Sequence, residues 1–465
     1  MTAKNLFPDQ NSYALSRRSF ITAAAGAGAL FDLQKLTAAA GDSLIGSAHA
    51  QAADDYRCLV CIFMYGGNDA NNMIVPVDAA GYASYAARRG PLQLPQASLL
   101  PIPINNTGGA PYAIHPAMTG IQKLFQAGKA AAVVNVGPLA LPTTRAQFLD
   151  RSVQLPPNLF SHSDQQAQWQ SSISDGGATR TGWGGRIGDL MQSVNSNRGA
   201  TCISLAGNNL WENGTALTSY KVSPSGKFGF DFYKSGSSSD PMSISVGEIL
   251  SAQRTHLFDK EWISVIERSL ENQRVMAGAI SSQQFANFPN SSIGTQLKMA
   301  ARLIASRNSL GVKRQTIFCS IGGFDTHGDD QIQRQQQLFG EISAAVSAFY
   351  EATATLGVAE KVTTFTASDF GRTLASNSKG SDHGWGSHHF VVGGAVKGSA
   401  MYGQFPNLSV GGPNDSGNNG IWVPTTSVDQ YAASMARWFG LAPTEIATVF
   451  PSLAKFGTPD LGFLI

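Results

Sequence analysis

Twice along this chain an unbroken apolar run ends in Gly-Gly-x-Asp: CIFMYGGND at 61–69 and IFCSIGGFD at 317–325. A run that is apolar at every position, rather than at alternate ones, belongs to a strand buried on both faces, as in a parallel sheet covered by helices. Two glycines after such a strand let the backbone turn off it tightly. Each pair then sets an Asp just beyond the strand's carboxyl end. A third run, VTTFTASDFGR at 362–372, ends in Asp369. In open α/β sheets, ligands bind along that carboxyl edge. Asp69, Asp325 and Asp369 are therefore expected to converge there. Carboxylates gathered without obvious basic partners point to a cation.

The rest of the chain continues the alternation. Residues 56–65, 130–136, 201–205, 315–321, 361–367 and 390–392 read as strands. Residues 116–127, 164–172, 186–194, 258–275, 295–306 and 330–356 read as helices. The pattern predicts an α/β fold, a doubly wound and mostly parallel sheet with helices on both faces. Residues 206–241 are rich in Gly, Ser and Asn and read as loops, part of a cap insertion that extends to about 290. No repeat of solenoid period is present.

Composition narrows the partners. The chain has 465 residues, enough for a large core, and only 14% of them are charged, against about 25% in ordinary domains. The formal net charge is +2 and no basic stripe occurs, which argues against nucleic acid. Four cysteines exclude a disulfide scaffold. Cys58 and Cys61 lie within one strand and face opposite ways. No apolar run reaches the roughly 20 residues of a membrane span. At the start, Ser16-Arg17-Arg18-Ser19-Phe20-Ile21 is a twin-arginine pattern. A mild Ala/Gly-rich stretch follows, and Ala48-His49-Ala50 fits a small-x-small cleavage site. The expectation is a leader over 1–50, a folded chain over 51–465, passage through the twin-arginine translocase, and a periplasmic or extracellular location.

The histidines supply further ligand candidates. His115 precedes a proline at a helix start and reads as structural, and His256 reads as a solvated surface residue. Asp325 and His327 are two apart, so on an extended segment they point the same way. Ser381-Asp382-His383-Gly384-Trp385-Gly386-Ser387-His388-His389 is the densest signal. His388 and His389 would face opposite ways if extended, so one of them is expected at the site. Asp and His ligands with no thiolate suit Zn, Mn or Fe better than Mg or Ca. Phe160-Ser161-His162-Ser163-Asp164 opens a helix. It reads equally as a plain helix cap and as a Ser nucleophile at the positive end of the helix dipole. Gly-x-Ser-x-Gly, His-Glu-x-x-His, Walker and Rossmann motifs are all missing.

Together, GGNDANNMIVPVD, FSHSDQQAQWQ, GWGGR, GGFDTHGDD, ASDFGRT and SDHGWGSHHFVVGGAVKG resemble a bacterial family. It is catalogued as domain of unknown function 1501 and placed with the alkaline phosphatase superfamily. The resemblance implies a doubly wound α/β core and a site for one or two divalent ions. It implies Asp69 as the early carboxylate, Ser161 as the nucleophile, and Asp325 with His327 as the middle pair. Asp369 would follow, and His383 and His388 would close the set. The sequence departs from the superfamily pattern at Asp369-Phe370, where a histidine normally follows the Asp. Asp382-His383 is the candidate replacement.

Two functions fit these residues. One is an exported metal-dependent hydrolase of phosphate or related esters, on small-molecule or polymer substrates. In it Ser161 attacks and Arg372 holds a substrate oxyanion; Arg372 could equally pair with a carboxylate. A formylglycine sulfatase is disfavoured, because no cysteine stands in a Cys-x-Pro-x-Arg context. The other is a non-catalytic superfamily member acting as an exported binding or assembly protein.

Overall fold

The structure, a computed structural model, describes residues 55–226, 239–281 and 284–465. The twin-arginine pattern and the cleavage site lie outside the described residues. So does part of the expected cap, at 227–238.

The central sheet contains, in chain order, β1 (Arg57–Met64), β2 (Ala130–Gly137), β3 (Cys202–Ser204), β4 (Tyr220–Lys221), β5 (Arg314–Ile321), β6 (Val362–Ser368), β7 (Ser387–Gly393), β8 (Ala400–Tyr402) and β9 (Thr426–Ser427). Its spatial order is β8-β2-β7-β6-β1-β5-β3-β4, with β9 also paired to β2. All pairings are parallel except those of β7, which runs antiparallel to both β2 and β6. The expected doubly wound, mostly parallel sheet is what forms. Within the stretch read as loops, Tyr220–Lys221 adds the edge strand β4 beside β3.

The helices that matter here are α1 (Ala79–Arg89), α2 (Thr119–Gln126), α3 (His162–Ser171), α4 (Trp183–Met191), α5 (Pro241–Ser251), α6 (Leu257–Ser281), α7 (Ser292–Ala305), α8 (Gln331–Thr355) and α9 (Val428–Phe439). β1 shows why they cover both faces. Val60 and Ile62 pack into one apolar core with Leu297 of α7 and Phe339 and Ile342 of α8. Leu59, Cys61 and Phe63 pack into another with Trp183 of α4 and Tyr431 and Phe439 of α9. Each such fully buried side chain stabilises the fold by about 1.5–3 kcal/mol. Cys58 and Cys61 do face opposite sides, and all four cysteines are buried free thiols. No helix among the described residues is long and apolar enough to cross a membrane.

β6, β1 and β5 lie side by side and end level, with Met64 opposite both Ser368 and Ile321. After β6 the chain makes a two-stranded ribbon, Arg372–Ser376 with Ser381–His383, that pairs Arg372 with His383. It then enters the sheet as β7. The ribbon therefore leaves His383 at the carboxyl edge, whereas His388 and His389 are already inside a strand.

Candidate metal centre

Glycine brings the three strand ends into contact. Gly66 has φ +114°, and a side-chain carbon there would lie 2.4 Å from the Asp325 backbone nitrogen. Gly67 has φ +83°, and a carbon there would lie 2.4 Å from the Phe370 ring. Only glycine lets the loop after β1 touch the loops after β5 and β6 on both sides.

At the centre stands Asp325, with about half of its side chain exposed, and three imidazoles surround it. His162 Nε2 lies 3.6 Å from Asp325 Oδ2, while His383 Nε2 lies 3.5 Å and His327 Nε2 3.1 Å from Oδ1. Each ring is tied by its other nitrogen. His162 Nδ1 donates to Asp369 Oδ2 at 2.6 Å. His383 Nδ1 donates to the Phe160 carbonyl at 2.7 Å, and His327 Nδ1 donates to Asp382 Oδ1 at 3.3 Å. An acceptor at Nδ1 places the proton there and leaves Nε2 with a lone pair. This is the arrangement that orients imidazole ligands in metal sites. Phe160 holds a left-handed φ of +72°, a strain that aims its carbonyl at His383.

His162, Asp325 and His383 each offer a ligand atom, all within 4.8 Å of one another. His383 Nε2 is buried and has no hydrogen-bond partner, and neither has Asp369 Oδ1. Orphaned buried lone pairs are costly, so a cation at the His162, Asp325 and His383 atoms would satisfy the bare His383 Nε2. His327 is differently placed, because its Nε2 also accepts from Arg372 Nη1 at 3.1 Å.

Electrostatics separate the carboxylates. Burial pushes the Asp325 carboxyl up, but the Arg372 guanidinium outweighs it and holds the group below its usual value, helped by His162 and His327. Burial raises Asp369, against the hydrogen bonds from Gln166, His162 and the Gly66 amide. Burial also lowers His383, and the cationic surroundings add to this, so the imidazole favours its neutral, ligand-competent form.

Several expected site residues lie elsewhere. Asp69 is 1% exposed. Its carboxylate takes Arg89 Nη2 at 2.5 Å, Gln331 Nε2 at 2.6 Å and Asn71 Nδ2 at 3.1 Å. Its lone pairs are spent, so it holds α1 and α8 against the sheet edge rather than an ion. His388 is buried, accepts the Asn135 amide at 3.1 Å and stacks near Phe405. Burial drops its pKa to about 3. His389 packs on Trp169 and Tyr431, so neither histidine of that pair reaches Asp325. Arg372 is 1% exposed. Its donors go to the Gly66, Gly67, Phe324 and Ser381 carbonyls, to His327 and to Asp325. No N–H remains for a substrate oxyanion, and Arg372 instead ties the three loops together. Asp382, 55% exposed, orients His327. Asp369 reaches the cluster through His162.

Ser161 is the N-cap of α3, but its Oγ donates to Asp164 Oδ2 at 2.5 Å instead of capping the helix. His162, the first residue of that helix, is the ligand candidate that sequence reasoning passed over. Its ring lies 4.8 Å from the Phe370 ring, beside the Asp369 that its Nδ1 bonds. The signal was a histidine beside two serines at a helix start, a context that capping already explains. His115 and His256 fall as read: the first is buried against Phe339 and the second is exposed.

Residues 235–417 match the profile of the family described as "Protein of unknown function (DUF1501)". No curated protein matches the chain. Among solved structures, the chain is similar to Ps i-CgsB in complex with k-i-k-neocarrahexaose, at 8% identity and a TM-score of 0.35, over 87% of this chain and 78% of that one. It is similar to the PsFucS1 sulfatase from Pseudoalteromonas sp., at 11% identity and a TM-score of 0.33, over 88% and 72%. A third is the lipoteichoic acid synthase LtaP from Listeria monocytogenes, at 7% identity and a TM-score of 0.29, over 81% and 75%.

Proposed function

We propose that this chain is an exported, metal-dependent hydrolase of phosphate or related esters, with one divalent ion held by His162, Asp325 and His383. One observation carries the reading: imidazoles pinned through Nδ1 by Asp369 and the Phe160 carbonyl turn bare Nε2 atoms toward a single carboxylate. Two histidines and one carboxylate, with room for a further ligand, match the donor set of hydrolytic zinc sites. Bound there, such an ion supplies a Lewis acid that polarises an ester oxygen and favours a deprotonated hydroxyl.

The chain's own groups do the rest. Ser161 lies between Phe160 and His162, both of which touch the cluster, and heads α3, where unpaired amides favour a developing negative charge. Its Oγ–H is directed at Asp164 Oδ2. As Oγ bonds to the ester phosphorus, that proton passes to Asp164, the bond from phosphorus to the alcohol oxygen breaks, and the alcohol leaves after taking a proton from solvent; water then hydrolyses the seryl ester and restores the Oγ–H. Ser161 and Asn158 hold the Asp164 carboxyl below its usual value, so Asp164 is by itself a weak base for this proton. Arg372 keeps Asp325 ionised and in place. Export through the twin-arginine translocase belongs to the same reading, because that route carries folded, cofactor-loaded proteins.

The test is elemental analysis of chain purified without chelators or a histidine tag, followed by a screen of aryl phosphate and related esters. The expected result is one equivalent of a transition metal, absent from His162→Ala and His383→Ala, and turnover lost in Ser161→Ala with metal retained. A folded chain that takes up no metal would sink the reading. Metal without turnover on any ester would instead favour a binding or assembly protein.

A further inference from the structure

Bare apolar surface is concentrated in one stretch of the chain. Of nine large hydrophobic side chains exposed among the described residues, seven fall within 242–265, on α5 and the first half of α6. Trp262 is 58% exposed, whereas the other six tryptophans are buried. Phe258, one turn before it, is 78% exposed. The metal cluster uses none of these residues.

The spacing along α6 shows what the bare face is suited to. Phe258, Trp262, Val265, Ser269, Asn272 and Met276 follow one another at alternate steps of four and three, so they share one face of the 25-residue helix. None of them is charged. The far end of this stripe is covered. Met276, with Ile280 a turn beyond it, belongs to the main apolar core. Arg302 Nη2 of α7 and the Oγ of Ser306, which follows that helix, donate to the Ile280 and Ala279 carbonyls at 2.9 Å each. The near end, Phe258 to Val265, is bare. Steps of four and three are those of a seam between two helices, and here half of the seam stands open.

We propose that a second copy of this chain closes it, the bare halves of two α6 helices lying antiparallel across a twofold axis. The area fits. With about 150–250 Å² for each large side chain, the exposures leave roughly 800 Å² of apolar side chain in contact with water. That is more than the about 300–600 Å² of the largest patch on a typical monomer, and close to the about 800 Å² that each partner buries in a standard interface. The chain's net charge of +2 sets up little long-range repulsion between copies. A lipid surface fits less well. Helices that lie on membranes carry Lys and Arg on their polar face, but residues 240–267 hold five acidic side chains and two basic ones. The acidic groups stand off the stripe, at the rim, where water and salt screen them. The pairing is antiparallel because the C-terminal half of each stripe is already occupied. Only then do the bare halves overlap while the rest of each chain stays at its own end. Such a contact uses the same residues on both sides and closes at two copies. It goes beyond the hydrolase reading and does not depend on it.

Sedimentation velocity on the full chain tests it. At about 10 µM, near the weak end for an interface of this size, wild type is expected to run at twice the mass of one chain. Trp262→Glu is expected to weaken the dimer by about thirtyfold or more, as for a central interface tryptophan. Circular dichroism checks that this surface variant is folded. Cross-linking then locates the contact, because all four native cysteines are buried and only an introduced thiol reacts. Val265→Cys, beside the twofold axis, is expected to join two copies on mild oxidation. Lys260→Cys, on the opposite face of the helix, is not. A monomeric wild type, a dimer that Trp262→Glu leaves unchanged, or equal cross-linking at the two positions overturns the proposal. So does a monomeric chain that floats with vesicles of phosphatidylglycerol and phosphatidylethanolamine, which would assign the face to lipid.

Discussion

Two loops with nearly the same sequence end in opposite environments. Gly66-Gly67-Asn68-Asp69 and Gly322-Gly323-Phe324-Asp325 both leave a central parallel strand through a glycine pair. Asp69 is sealed in an ion pair with Arg89, both side chains wholly buried. Asp325 stands half-exposed among three imidazoles. The local pattern decides only that an Asp will sit past a strand end. What that Asp does is decided by what the rest of the chain delivers to it: an arginine from the last turn of α1, or histidines from the head of α3 and from the ribbon after β6, beside His327 of its own loop.

The sharpest way to break the comparison is to remove each carboxylate. Asp69→Ala leaves the Arg89 guanidinium buried without its counter-ion, and breaking a buried pair costs about 3–5 kcal/mol. Asp325→Ala leaves Arg372 with four carbonyl partners, so the expected loss of stability is about 1 kcal/mol, while metal uptake disappears. Denaturant unfolding and elemental analysis of both variants check this. Equal stability losses, or metal lost from an otherwise stable Asp69→Ala, would place both Asp residues in one site.

A third carboxylate has neither kind of partner. Glu212 is fully buried and is met by Asn209 Nδ2 at 3.1 Å and Thr316 Oγ1 at 3.4 Å. Burial pushes its pKa up to about 8. Between about pH 4.5 and 8 the native chain keeps this proton while the unfolded chain has released it. The unfolded state binds fewer protons, so stability falls as pH rises across that window and is level above it. The expected total is about 5 kcal/mol, at no more than about 1.4 kcal/mol per pH unit. Glu212→Gln is expected to flatten this part of the stability profile, read by thermal melts from pH 5 to 9. A wild-type profile that rises over the same range would mean that Glu212 is ionised in the fold.

This contrast also explains what could be read from the sequence. The strands, the glycine turns and the carboxyl-edge location were legible because each is local, a matter of period and turn chemistry within about ten residues. Asp325 and His383 were legible as ligand candidates for the same reason. The partners were not. Arg89 lies 20 positions beyond Asp69, in a helix with no motif to mark it. Telling His383 from His388 requires knowing that the chain re-enters the sheet antiparallel between them, a pairing no local pattern encodes. His162 was hidden by a sufficient alternative, since Ser-His-Ser-Asp at a helix start already satisfies capping preferences. Arg372 read equally as an oxyanion holder and as the partner of a carboxylate; it does pair with Asp325, and the carbonyls after β1 and β5 that take its other N–H groups lie far off in the chain.

A smaller effect tests the tie behind His162. Asp369→Ala removes the acceptor of the His162 Nδ1 proton but leaves all three proposed ligands in place. Loss of such an orienting group lowers metal affinity by about 10–100-fold. Competition with a chelator of known affinity measures it. An unchanged affinity would show that Asp369 packs the loop without positioning the ring.

The smallest effect decides how many ligands the cluster has. Asp382 orients His327 from an exposed position, and the lone pair that this tie leaves on Nε2 is already shared with Arg372. An exposed ion pair is worth about 0–1 kcal/mol. Asp382→Ala should therefore change metal affinity by less than about threefold, and His327→Ala should weaken it less than His383→Ala does. If His327→Ala matches His383→Ala, the guanidinium must give up that imidazole when metal binds. Asp325 would then share the ion with three histidines, and the contrast with the sealed Asp69 would be wider still.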